Sequence, residues 1–140
     1  MSQSNTQPGQ IVLNSSEDLT GKEGYLAKII NTSNVAELAL PDAASDLALF
    51  VITDGDSEDA TSAVLPLSPE RNVRLKLSGT CVPGDVLVLA TPNGTVDGMV
   101  KKLPTAGGTY RGIAIAEEVG VDGQLVKARP AMIGNITVTA

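Results

Sequence analysis

Sixteen carboxylates, one cysteine and no histidine bound the chemistry open to this 140-residue sequence. The densest acidic run is Asp54-Gly-Asp-Ser-Glu-Asp59. Asp54, Asp56 and Glu58 fit the first three ligand positions of a calcium loop, but Asp59 stands where the sharp turn needs Gly and Leu65 where a bidentate Glu is required. The run therefore reads as an exposed acidic loop. Glu117-Glu118 could be offered as a glycosidase pair, yet adjacent residues on a strand point to opposite faces and cannot share a pocket. Without His there is no Ser-His-Asp or Cys-His nucleophile and no imidazole acid–base chemistry. Cys81, beside an apolar stretch and without a nearby base, reads as a buried structural thiol. Gly21-Lys22 lacks the preceding glycine of a phosphate loop, Gly84-Asp85 opens an acidic turn, and no Ser-x-x-Lys occurs. The expectation is a chain with no catalytic, metal or cofactor residues and no enzymatic activity.

Charge and composition speak to partners. The formal net charge is −6, against a nucleic acid as the main partner. Arg71, Arg74, Lys76, Lys101 and Lys102 could gather into a basic patch, but single-strand binders interleave such residues with aromatics, and only Tyr25, Phe50 and Tyr110 are available. The five read instead as solvent-facing or intersubunit charges. No window nears 18 consecutive apolar residues, so no membrane span is expected. Met1 to Gln10 is polar and uncharged, unlike a secretory signal, and the sequons at Asn14, Asn31, Asn93 and Asn135 read as chance matches. The charge is uneven: through Ala60 ten acids face two bases, and beyond it eight bases face six acids. That asymmetry suits a side-by-side or head-to-tail assembly, or simply a solvated acidic face.

Holding these residues falls to β-structure. Asn72 to Ser78 alternates, with Val73, Leu75 and Leu77 on one face and Arg74, Lys76 and Ser78 on the other. Ile136 and Val138 repeat the pattern. Leu47 to Ile52 and Val86 to Ala90 are short apolar runs of the kind found in strands buried on both faces. Residues 25–30, 35–40, 63–67, 110–116 and 125–129 supply further strands. Asn31 to Asn34, Pro83-Gly84, Asn93-Gly94, Gly107-Gly108 and Asp122-Gly123 carry turn chemistry. The one helical candidate, Pro41 to Asp46, is a single turn. Turn signals every ~8–12 residues with no long amphipathic helix indicate an all-β fold, a compact β-sandwich or β-barrel.

The start of the chain differs. Residues 1–22 read as an extended N-terminal arm and 23–140 as the β-domain. Ile11-Val12-Leu13 is a short apolar stretch with no local partner strand. Ile11, Val12 and Leu13 are therefore the candidate contacts with a neighbouring subunit, by strand addition. Deleting residues 1–13 would on this reading leave a folded protein that no longer binds its target tightly.

Two stretches carry a family likeness: Leu77-Ser-Gly-Thr-Cys-Val-Pro-Gly-Asp-Val-Leu-Val-Leu89, and the segment from Gly112-Ile-Ala to Met132-Ile-Gly134. Their order of strand, Gly turn, Pro-Gly-Asp and second apolar strand resembles the head decoration, or capsid cement, proteins of tailed bacteriophages, over roughly residues 73–134. The resemblance implies a non-enzymatic homotrimer on the outer surface of the virion capsid. There it would sit at three-fold positions on the major capsid protein, with Ile11, Val12 and Leu13 as candidate capsid contacts, and stabilise the expanded shell. A carbohydrate- or receptor-binding module of a phage fibre is the alternative; scarce Trp and Tyr count against it, because sugar faces stack on aromatic rings.

Overall fold

Alternating residues become half-buried strands wherever a partner strand is in reach, and this chain forms ten of them among the described residues. The structure, a computed structural model, describes residues 9–140. Five strands come from the first half: β1 (Ile11–Ser15), β2 (Leu26–Thr32), β3 (Val35–Ala39), β4 (Phe50–Asp54) and β5 (Thr61–Pro66). They close into a barrel in the order β1-β3-β2-β4-β5. The second half supplies β6 (Val73–Lys76), β7 (Val86–Leu89), β8 (Val100–Lys102), β9 (Gly108–Ala116) and β10 (Leu125–Val138), ordered β6-β10-β9-β7-β8. Its outer strands meet through a bridge between Leu77 and Val100, tightened by the Ser78 N–H donating to Val100 O at 2.8 Å. The fold is all-β, and both sheets curl toward closure.

Turns fix the registers. Ser33 and Asn34 both take positive φ (50° and 68°), the mirror-image turn whose twist matches a two-residue hairpin, and so join β2 to β3. Val82-Pro83-Gly84-Asp85 closes with the Asp85 N–H donating to Val82 O at 3.1 Å, and Gly84 at φ +91° meets the type II requirement. Pro41 to Asp46 stays a turn and builds no helix. The Asp46 carboxylate accepts the N–H groups of Asp42 and Ala43, at 2.8 and 3.1 Å, and closes the segment locally.

Two cores result. Leu19, Ala27, Leu38, Ile52 and Val64 fill the barrel. A larger core lies within the second sheet and takes in Leu26, Ala48 and Val51 from the barrel half. Backbone bonds cross the same seam: Leu26 N–H to Gly98 O at 2.7 Å and Lys76 N–H to Gly24 O at 2.9 Å. The halves are thus one packed unit built mainly from Leu, Val, Ile and Ala. At ~1.5–3 kcal/mol per fully buried side chain, many aliphatic residues replace the missing aromatic mass.

The N-terminal expectation needs correction. β1 is a barrel strand, antiparallel to β5 (Ile11 opposite Val64, Asn14 opposite Thr61) and parallel to β3 (Asn14 opposite Glu37). Its Ser15 hydroxyl meets that of Ser62 at 2.6 Å in the interior. The boundary expected at residue 22 therefore does not separate an arm from a domain; of the expected arm, residues 1–8 lie outside the described residues. β10 is also one 14-residue strand where two were expected, since the break at Pro130–Gly134 is a bulge, a place that tolerates proline within a sheet.

Candidate functional site

The acidic run folds as a loop bound to the barrel by its backbone. Leu19 N–H donates to Asp56 O at 2.8 Å, Asp56 N–H to Ser62 Oγ at 2.8 Å, and Asp59 N–H to Ser15 O at 2.9 Å. The carboxylates point outward, and among the described residues no three Asp, Glu or Cys side chains converge as metal ligands would. Glu117 and Glu118 take different partners. Glu118 accepts from Lys127 N–H at 2.9 Å and pairs with Arg74 at 2.8 Å, whereas Glu117 meets Arg129 at 3.3 Å. The Lys127 N–H, opposed by burial and aided by Arg74, holds the Glu118 carboxyl below its ordinary range. Burial pushes the Cys81 thiol up, the wrong direction for a nucleophile.

Four of the five basic residues have partners of their own within the chain. Arg74 is paired with Glu118 and Lys102 with Asp85 (3.4 Å), Lys101 lies 5.1 Å over the Tyr110 ring, and Arg71 donates to Pro66 O at 2.7 Å. Ile11 and Leu13 pack on the barrel core, so of the three proposed contact residues only Val12 faces outward, 59% exposed.

One ion pair carries a pH signature. Lys28 reaches Asp42 at 2.7 Å and Asp46 at 2.8 Å. Burial alone would raise the Asp46 carboxyl, but the Lys28 ammonium and the Asp42 and Ala43 N–H groups outweigh it and bring the carboxyl down to about 2. A carboxyl lower in the folded than in the unfolded chain stabilises above its unfolded value, and that stability disappears as pH falls toward 2. Asp46→Asn is therefore expected to melt lower than the parent at pH 6, with the gap closing between pH 4 and pH 2. Parallel thermal melts check this; a constant gap would deny the carboxylate its role.

The surface feature that sequence reasoning missed lies at the β10 bulge. Met132 is 81% exposed, Leu47 61% and Ile133 40%, an unusual local density of exposed aliphatic side chains. Between them run two shallow apolar clefts of about 160 and 220 Å³ that share Leu49, Ala131 and Met132. One cleft continues onto Phe50, Pro66 and Pro69, and the other onto Arg111. A signal was present: Pro130 to Ala140 is eleven residues without a charge. This stretch of β10 runs past the end of β6 and pairs only with β9, and an open edge of that kind ordinarily carries charge as protection against unwanted pairing.

The class defined by these observations is an all-β domain with a closed five-stranded barrel joined to a second five-stranded sheet, its exposed apolar surface at their junction. Among solved structures the chain is similar to the N base of head fiber gp8.5 in bacteriophage phi29, with a TM-score of 0.65 over 94% of this chain and 97% of that one. Identity is 14%, so the likeness shows the fold. No family model and no curated protein matches the sequence.

Proposed function

We propose that this chain is a structural virion protein that decorates the outside of a tailed-phage head, as a homotrimer bound to the major capsid protein. The observation that carries the reading is the near-complete mutual coverage with a head fiber base, which joins the sequence resemblance to capsid cement proteins. The surface agrees in kind, offering an exposed apolar patch for contact.

The mechanism is stapling. Each copy that touches several shell subunits makes its later contacts effectively intramolecular, which raises avidity by ~10²–10⁴ without an exceptional single contact. Binding the expanded shell and not its dissociated subunits stabilises the shell by mass action. The test adds the purified protein to undecorated expanded heads of the phage whose genome encodes it. Expected are saturable co-sedimentation and a higher temperature of DNA release; no binding, or turnover of a small molecule, overturns the reading. The head fiber neighbour favours a second reading, a base that seats a fibre on the shell. Glycan binding by this chain alone would instead favour a receptor-binding fibre module.

A further inference from the structure

The apolar patch and the acidic loop stand at opposite ends of one hairpin. Phe50 pairs with Pro66 at the patch end of β4–β5, and Asp54 leads into the acidic loop at the other, some ~13 Å along the strands at ~3.3 Å per residue. The patch end holds both arginines that have no carboxylate within 4 Å among the described residues. Arg71 lies against Pro66, and Arg111 lines the cleft beside Met132 and donates to Ser45 O at 3.2 Å. The Nε atoms of both are buried without a partner.

The far end is the complement. Val12 and Asp54 both sit opposite Ala63 across the barrel wall, so an exposed valine and an exposed carboxylate lie in one outward row. Beyond that row come Asp56, Glu58 and Asp59. One end is apolar with unpaired arginines; the other is acidic beside an exposed valine.

We propose that copies of this chain join head to tail, the arginine-edged patch around Met132 of one seating on the Val12–Asp54 row and acidic loop of the next. The occupant is a second copy because both halves of the complement are present on every copy, and the charges match only when unlike ends meet. Such a contact is heterologous and can close into a ring, as a trimer requires; a two-fold contact would set arginine against arginine. Met and Arg are also residue types enriched at interfaces. The inference rests on the self-association in the reading above and gives it a surface.

The test is sedimentation velocity on the full chain, with circular dichroism confirming the fold of each variant. Wild type is expected to sediment as a multiple of 14.3 kDa and to dissociate as salt rises. R71E/R111E and D54K/D56K should each run as monomers at the same concentration, with self-association weakened by about tenfold or more. Mixed one to one, they should associate again, because the unchanged acidic loop of the first meets the unchanged arginines of the second and the new lysines meet the new glutamates. Met132→Glu, a change at a highly exposed position, should also give a monomer without disturbing the fold. A monomeric wild type, variants of wild-type mass, or a mixture of monomers overturns the interface. Head binding by a monomeric wild type would overturn it too, yet leave decoration of the shell standing.

Discussion

A chain lacking residues 1–13 is expected to keep most of its second sheet and lose its barrel. The deletion removes Ile11 and Leu13 from the barrel core and most of the β1 ladder to β5. β3 and β5 then become edges with unpaired N–H and C=O groups. Two partly buried aliphatic side chains alone represent about 3 kcal/mol, a large share of the ~5–15 kcal/mol that stabilises an ordinary domain. The β7–β9–β10 ladders do not involve β1. Amide hydrogen exchange should therefore show β3 and β5 losing protection by orders of magnitude while β7 and β9 retain most of theirs. Full protection of β5 in the truncated chain would mean that the barrel closes without its first strand, as a free arm would allow.

Gly98→Ala is expected to destabilise by about 2–4 kcal/mol, lowering the melting midpoint by roughly 10 °C. Gly98 has φ +84°, where a side chain costs ~1–2 kcal/mol. A Cβ there would stand 2.7 Å from Leu26 O, and the Leu26 N–H donates to Gly98 O at 2.7 Å. The clash therefore falls on a backbone bond across the seam between the halves, where the neighbour is not a flexible side-chain end that can yield. Gly123→Ala is the control: its φ is +80°, but a Cβ would meet nothing within 4 Å. It should show the conformational penalty alone, about 1 kcal/mol. Equal effects at the two positions would show that the seam yields freely to a methyl group.

Legibility followed the range of the interactions. Residues 73–76 alternate buried and exposed as their sequence does, because each side chain answers only to the two faces of its own strand. The Ser33-Asn34 and Pro83-Gly84 turns were equally readable, since a backbone angle is set by the residue that carries it. β8 is three residues long, too short to have a period. The partner of Ile11 is Val64, more than fifty positions away, and nothing local distinguishes such a strand from an arm. The apolar patch was invisible for the same reason: Leu47 and Met132 meet only because β9 and β10 bring the bulge beside the chain entering β4. The acidic run was legible as a loop and illegible as one end of a complementary surface, because its counterpart belongs to strands from both halves.

The shared core has a consequence for how the chain is made. All five barrel strands have been translated by Pro66, before β7, β9 and β10. Leu26, Ala48 and Val51, whose resting place is among those later strands, must wait in water during elongation. For that interval the nascent chain presents a greasy seam, which makes translation speed between residues 66 and 138 and the presence of a holdase determinants of soluble yield.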